Sequence, residues 1–310
     1  MPNWCANRLC VTGRSEDIEQ VRVLTDGGRY PSYARAAAQG VQLFLAGCAG
    51  MLKTTEVMAY LPYPGLTAAG QGDDTPENRA FTQWLAHLQA GTALTDAACD
   101  DLHALWLAGG LRDRRRDDLT DAQQACIAAV FTGQRHDGYG SFSTTSVSAW
   151  WDAVCDGLPG LKARPLDLMM VLPSRLDVEI NGFNGRLLAG VPSGYSWYVE
   201  RYGTKWPCGY DLTVCDGGAD WLSVDFDTPW SPPAEAVMAE LSERYGVTVE
   251  HWYAEQGCDF CGYACYARGV QTESLSDVLE WSDVDESDED ACPEVTGPAW
   301  IVDNVVHFGG

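Results

Sequence analysis

Apolar and polar residues alternate through residues 3–12. The alternation places Cys5, Asn7, Leu9 and Val11 on one side of a strand and Trp4, Ala6, Arg8 and Cys10 on the other. Gly13 ends the run. The spacing then becomes helical, with Ser15 as N-cap, Ile18, Val21 and Leu24 along one face, and Gly27-Gly28 at the close. Residues 30–160 keep helical spacing and are rich in alanine and leucine. Thr75-Pro76-Glu77, Thr95-Asp96 and Thr120-Asp121 each read as a helix start. Their apolar faces follow, with Phe81, Trp84, Leu85 and Leu88 in the first, Leu102, Leu105 and Trp106 in the second, and Ile127 and Phe131 in the third. Leu-Thr-Asp-Ala opens two of them, at 94–97 and 119–122, which is too short a match to establish an internal repeat.

Strand spacing returns after residue 165. Leu166–Leu172 is an apolar run, and Ser196–Tyr202 and Trp221–Phe226 alternate. Val247–Tyr253 and Phe260–Ala267 predict a hairpin, and Ala299–Phe308 a last strand. Between them, Pro229, Pro232 and Pro233 stop a strand and start a helix carrying Val237, Met238, Leu241 and Tyr245, closed by Gly246. Strand–helix, then strands, then strand–helix–strand–strand describes an α+β fold. The simplest arrangement is a ferredoxin-like antiparallel sheet with two helices, interrupted by a large helical insertion. The expected domains are 1–29 joined to 161–310, with an acidic loop at 273–294, and the helical insertion 30–160.

Charge changes this picture in one respect. The chain has 44 acidic and 20 basic residues, a net charge of −24. Residues 1–200 carry 16 basic and 22 acidic groups, whereas residues 201–310 carry 4 and 22. A hydrophobic fraction of 46% argues against wholesale disorder. The acidity argues against ordinary phosphate-neutralising nucleic-acid binding. The densest stretch holds Glu280, Asp283, Asp285, Glu286, Asp288, Glu289 and Asp290, with Trp281 and Val284 as apolar anchors. It reads either as a solvated loop or as a surface that takes the place of phosphates in a basic channel. The only basic cluster, Arg112–Arg116, is interleaved with aspartates and reads as a solvated loop. No leader and no run of 18 apolar residues is present, which predicts a cytoplasmic protein with no membrane partner.

Candidate chemistry is sparse. Twelve scattered cysteines in a reducing compartment read as thiols rather than a disulfide frame. Cys258-x-x-Cys261-x-x-x-Cys265 is a weak metal candidate that needs a fourth ligand from Cys5, Cys10, Cys208 or His251; buried structural thiols and redox activity are the alternatives. No phosphate-binding glycine loop and no nucleophile setting is recognisable around the five histidines. No catalytic residue and no cofactor is therefore assigned. Trp197, Tyr198, Trp206, Trp221, Trp230 and Trp252 fall on or beside expected strands, as core or as a base-stacking face. Lys205 is expected to pair with a local aspartate.

Four stretches carry a resemblance. They are Met1-Pro2-Asn3-Trp4-Cys5-Ala6-Asn7, Gly203-Thr204-Lys205-Trp206, Phe226-Asp227-Thr228-Pro229-Trp230-Ser231-Pro232-Pro233, and Tyr253-Ala254-Glu255-Gln256-Gly257-Cys258-Asp259-Phe260-Cys261-Gly262. Together they resemble the YubB-type ferredoxin-like family of conjugative plasmids and phages, with Tyr202 standing where the family's W-G-T-K-W element begins with tryptophan. The likeness covers roughly residues 1–28 and 166–270. It implies the fold and a role in a mobile element's contest with its host, and implies no reaction.

The expected function is a non-catalytic, acidic protein-binding inhibitor. It would block a basic nucleic-acid-binding surface of a host defence nuclease or CRISPR effector through Glu280, Trp281, Asp283, Asp285, Glu286, Asp288, Glu289 and Asp290. The alternatives are a nucleic-acid-handling module in plasmid transfer using the aromatic sheet face, and a Cys-cluster metalloprotein.

Overall fold

The computed structural model describes residues 3–134, 146–283 and 292–310. The chain begins with β1 (Trp4–Thr12) and α1 (Ser15–Thr25). The helical stretch follows, with α2 (Ser32–Cys48), α3 (Pro76–Ala90), α4 (Asp96–Ala108), α5 (Asp121–Gln134), α6 (Val147–Cys155) and α7 (Leu176–Asn181). Next come α8 (Gly194–Tyr202), β2 (Tyr210–Gly217), β3 (Trp221–Pro229), α9 (Glu235–Tyr245), β4 (Thr248–Glu255), β5 (Phe260–Ala267) and β6 (Val270–Asp277). The chain closes with β7 (Glu280–Trp281), β8 (Val295–Gly297) and α10 (Ala299–Val302).

Two compact units result. One comprises residues 1–29, 162–172 and 198–310; the other comprises 30–161 and 173–197. Residues 173–197, expected with the sheet, therefore join the helical unit.

In the first unit the strands form one sheet in the order β2-β3-β1-β4-β5-β6, antiparallel throughout. The β2-β3-β1-β4 portion, with α1 and α9 as crossovers, has ferredoxin-like topology. β5 and β6 extend it beyond β4. The alternation read in β1 orients the sheet. Cys5, Leu9 and Val11 are buried on the side that also holds Val224, Phe226 and Val249 and the apolar faces of α1 (Ile18, Val21, Leu24) and α9 (Val237, Met238, Leu241). Asn7 lies on the same side. Its amide nitrogen donates to Cys5 O (2.8 Å) and Thr228 Oγ1 (2.9 Å), which leaves its oxygen to accept from His251 Nε2 (3.0 Å). One side chain thus ties β1 to β3 and β4. Burial pushes the His251 pKa down to about 3 and keeps the ring neutral.

α9 ends in Gly246 at φ +65°, the left-handed stop that the sequence predicts. α1 begins at Ser15 with Arg14 in the capping position. The expected serine cap is absent, and Arg14 instead pairs with Asp17 of the first turn at 2.7 and 3.0 Å.

Three expected strands are not strands. Leu166–Leu172 contains a 3-10 turn at Leu168–Met170, started by the Asp167 carboxylate accepting from Met169 N. Leu166, Leu168 and Val171 are each at most 1% exposed, so a turn buried on several sides produced the unbroken apolar run. Ser196–Tyr202 belongs to α8, where Ser193 Oγ accepts from Ser196 N and the Tyr198 and Tyr202 rings meet one turn apart at 5.9 Å. Ala299–Phe308 opens as the short helix α10, and its spaced apolar residues Ile301, Val305 and Phe308 pack with Ala254, Cys261 and Trp252 of the sheet. The expected acidic loop 273–294 is also corrected at its start, since residues 273–277 lie in β6 and 280–281 in β7.

The C-terminal residues are tied to the sheet. Gly310 N donates to Trp4 O (3.0 Å) and Gln256 N to Phe308 O (2.8 Å). His307 Nε2 stands 3.1 Å from Asp227 Oδ1, and that carboxylate raises the imidazole above its ordinary value of 6.5.

The second unit is helical, as expected. Thr75 Oγ1 accepts from Asn78 N and Thr95 Oγ1 from Ala98 N, so both threonine caps form as read. Phe81, Trp84, Leu85, Leu88, Leu102, Trp106, Ile127 and Phe131 enter one core with Phe44 and Leu45 of α2. The Arg112–Arg116 cluster is not simply solvated. Arg115 pairs with Asp156, while Arg116 is 4% exposed and donates from its backbone to Asp152 and from its guanidinium to Gln124 O.

Two outcomes follow. Asn7→Ala leaves the His251 N–H and the Thr228 hydroxyl without their buried partner, and chemical denaturation should show a loss of about 1–3 kcal/mol. In an NMR titration His251 should keep a neutral ring from pH 8 to 5, its contribution complete above 6.5 and lost as the pH falls toward 3. His307 behaves oppositely: its ion pair contributes fully below 6.5 and is lost as the pH rises through its raised value.

Candidate functional site

The acidic segment is held at its two ends. β7 and β8 pair antiparallel, with Glu280 opposite Gly297 and Trp281 opposite Val295. Just beyond them, Ser282 N donates to Glu294 O (2.8 Å) and Glu294 N to Ser282 Oγ (3.0 Å). Residues 283–293 are therefore bracketed by a short ribbon. Trp281 is 38% exposed, and its indole N–H donates to Asp259 Oδ1 (3.0 Å), so a carboxylate of the β4–β5 turn orients the ring. Of the expected contact residues, Glu280, Trp281 and Asp283 are described; Val284, Asp285, Glu286, Asp288, Glu289 and Asp290 lie outside the described residues.

The sheet face away from α1 and α9 continues this acidic character. Register aligns Ser223, Cys10, Glu250, Cys265 and Glu273 in one row across β3-β1-β4-β5-β6. The next row is Asp225, Arg8, Trp252, Tyr263 and Leu275, and the next Asp227, Ala6, Ala254, Cys261 and Asp277. Arg8 is held by both oxygens of Asp225 (2.6 and 2.8 Å), which raises its pKa. Cys215 of β2 also reaches Asp225, at 2.6 Å. Trp252 and Tyr263 are in contact with ring centroids 4.9 Å apart, and Tyr263 donates its hydroxyl to Glu250 (3.1 Å).

Other expected site residues are placed differently. Trp197 and Tyr198 lie in α8, not on the sheet. Trp206 packs with Trp4 (6.2 Å) and Tyr210 (5.8 Å). Among the described residues Lys205 pairs with no aspartate. Its ammonium sits over the rings of Trp206 (4.3 Å) and Trp230 (3.8 Å), and burial lowers its pKa. Gly203 before it has φ +78°, and a Cβ there would stand 2.7 Å from Pro232 O, so this turn admits only glycine. Thr204 Oγ1 donates to Pro229 O (3.0 Å). Three of the motifs that carry the family resemblance thus meet at one end of the sheet as framework.

The cysteines divide in the same way. Cys261 is buried in β5 with its Sγ 3.6 Å from Asp277 O, and burial pushes its thiol up to about 11. Cys258 is exposed in the turn, where its backbone N–H and that of Gly257 donate to the fully buried Glu255 carboxylate. Among the described residues no group of three or more His, Cys, Asp or Glu side chains is arranged to hold a metal ion. No described helix is long and apolar enough to cross a membrane.

Sequence reading missed the acidic face carried by Asp225, Asp227, Glu250 and Glu273. The available signal was the two-residue spacing of Asp225 and Asp227 within one strand; Glu250 and Glu273 join their face only through the register.

Comparison with known proteins agrees with this architecture. The model of the DUF1281 family, described as a protein of unknown function, matches residues 30–206. A second, described as a ferredoxin-like domain in Api92-like protein, matches residues 209–292. β1 and α1, which complete the sheet, lie outside both matches. The uncharacterized protein YubB of Escherichia coli (strain K12) is 56% identical over 146 residues, 47% of this chain and 99% of that protein. The uncharacterized protein YubA of the same strain is 47% identical over 158 residues, 51% of this chain and 94% of that protein. The crystal structure of a protein api92 from Yersinia pseudotuberculosis superposes with a TM-score of 0.83 at 32% identity, covering 90% of this chain and 99% of that one. With a helical region and a ferredoxin-like sheet matched in order along its length, the chain belongs to the DUF1281 family.

Proposed function

We propose that the protein is a non-catalytic binding protein that presents its acidic C-terminal region to a basic surface of a partner. The partner surface would be of the kind that otherwise holds nucleic acid. A host defence nuclease or CRISPR effector is the partner class, and obstruction of its nucleic-acid channel in the cytoplasm is the effect. The mobile-element setting rests on the family resemblance.

The observation that carries the reading is where the charge lies. The ferredoxin-like unit has 28 acidic and 10 basic residues, against 16 and 10 in the helical unit. Several of its cations are engaged within the unit. Arg8 is held by Asp225, Arg14 by Asp17, and Lys205 by two indoles. Arg22 and Arg244 donate to backbone carbonyls. Glu273, Asp277, Glu280 and Asp283 are exposed on one side of the sheet and on the ribbon that brackets the acidic segment. Such a field attracts a basic partner over a distance and lets salt weaken the encounter.

The aromatic sheet face supports the nucleic-acid alternative less well. The Trp252–Tyr263 pair is flanked by Glu250 and Glu273, which repel phosphate.

The test replaces the seven carboxylates from Glu280 to Asp290 with Asn and Gln. A partner captured from host lysate by the native protein should bind this variant at least about tenfold more weakly, and native binding should fall with added salt. Unchanged, salt-insensitive binding would sink the reading. Single-stranded DNA at micromolar protein and low salt should give no mobility shift; a shift would favour the alternative.

A further inference from the structure

The two edges of the sheet are built differently. β2 breaks register with β3 twice, between Tyr210 and Thr213 and between Val214 and Asp216, and Asp211 sits at φ +46°. Such irregularity is a way to spoil an edge for further pairing. β6 shifts register with β5 once, between Gln271 and Glu273, and keeps it unbroken from Glu273 to Asp277, with Thr272–Asp277 exposed throughout. Among the described residues no strand pairs with its outer side. Residues 270–281 contain no lysine, arginine or proline, the residues that commonly blunt an edge.

What β6 presents is specific. On the face away from α1 and α9 it shows Glu273, Leu275 and Asp277, an apolar residue between two carboxylates at two-residue spacing. Leu275 is 55% exposed and ends the row Trp252–Tyr263–Leu275. A strand laid beside β6 would continue that row with one apolar side chain. A second copy of this chain is a poor occupant, because antiparallel pairing of two β6 strands about Leu275 puts Glu273 of each opposite Asp277 of the other. Directly opposed like charges destabilise a sheet. A strand with cations at those two places meets the opposite situation.

We propose that the outer edge of β6 takes, by strand addition, an extended segment of a partner protein in which one apolar residue is flanked at two-residue spacing by lysine or arginine. The added strand hydrogen-bonds to the free backbone edge of β6. Its apolar residue covers Leu275, and its two cations stand beside Glu273 and Asp277. The surface is complete without the 280–290 carboxylates, so it stands whether or not those residues engage a partner.

The probe is a fluorescein-labelled peptide of sequence GTKTVTKTG, beside a counterpart with glutamate in place of both lysines, each titrated with the full-length protein at low salt. The lysine peptide should bind and the glutamate peptide should not. Glu273→Lys/Asp277→Lys should bind the lysine peptide at least about tenfold more weakly and gain affinity for the glutamate peptide. Both positions are exposed, and an unchanged circular dichroism spectrum would confirm the fold. Hydrogen exchange at residues 272–277 should slow when the lysine peptide is bound. The variant with the 280–290 carboxylates neutralised should still bind the peptide and give the same protection in β6. No binding up to about 1 mM, binding indifferent to the double lysine variant, or binding without protection of β6 would each overturn the proposal. Loss of the peptide in the 280–290 variant alone would place it on the acidic segment, against this inference and in favour of the acidic-segment reading.

Discussion

A single carboxamide joins β1 to both of its neighbours in the central sheet. Asn7 reaches Thr228, 221 residues away, and His251, 244 residues away, and both contacts are buried. β1 is therefore placed first in the chain yet completed only by strands that follow the whole helical stretch. The opposite face locks the same alignment through Arg8 and Asp225. A slip of one residue would turn Asn7 out to the open face and push Arg8 toward the apolar sides of α1 and α9, leaving both polar pairs broken. Neither pair alone excludes every slip. Together they make the register of β1 nearly unique, and every row of side chains on the open face depends on it.

How much of this was legible depended on what each element faces. β1 and β4 bury one side and leave much of the other half-exposed, and β3, buried on both sides, still alternates apolar Leu222, Val224 and Phe226 with polar Ser223, Asp225 and Asp227, so alternation revealed all three; α1 and α9 likewise bury one stripe. Patterning failed where that asymmetry is missing. The turn at Leu168–Met170 is buried on several sides and so resembles an inner strand. α8 places Tyr195 and Trp197 two residues apart and Tyr198 and Tyr202 four apart, so its aromatic residues suit either period; the Ser193 cap decides for helix. β6 is exposed on nearly every residue, so its composition is that of a loop and only its pairing with β5 makes it a strand.

The residues that made the family recognisable serve mostly as framework. Gly203 and Thr204 lock a tight turn against Pro229 and Pro232, Lys205 fills the space between two indoles, and Glu255 caps the turn after β4. A lysine between tryptophans invites an ion-pair reading from sequence, because sequence shows charges and hides rings. Here two nearby rings accept the cation. Cys258, Cys261 and Cys265 are separated by the backbone. The turn puts Cys258 outside the β5 strand, and Cys261 and Cys265, on one face of β5, stand two rows apart, in the rows that end at Asp277 and Glu273.

The same logic explains why so acidic a unit can fold at all. Carboxylates repel most strongly when they are close and desolvated, and the buried ones here are each answered by a donor. Asp225 has Arg8, Asp227 has His307, and Glu255 has two backbone N–H groups. The exposed charge stands at the rim, on β6 and on the ribbon of β7 and β8, where water screens it. Placement there has a physical effect even so. It makes the regular stretch of the β6 edge, Glu273–Asp277, repel its own kind, a task that lysine, proline or bulges perform at other edges and that two bulges perform at β2. Acid differs from those devices in its sign dependence: it keeps β6 from pairing with identical chains and leaves it attractive to a strand of opposite charge.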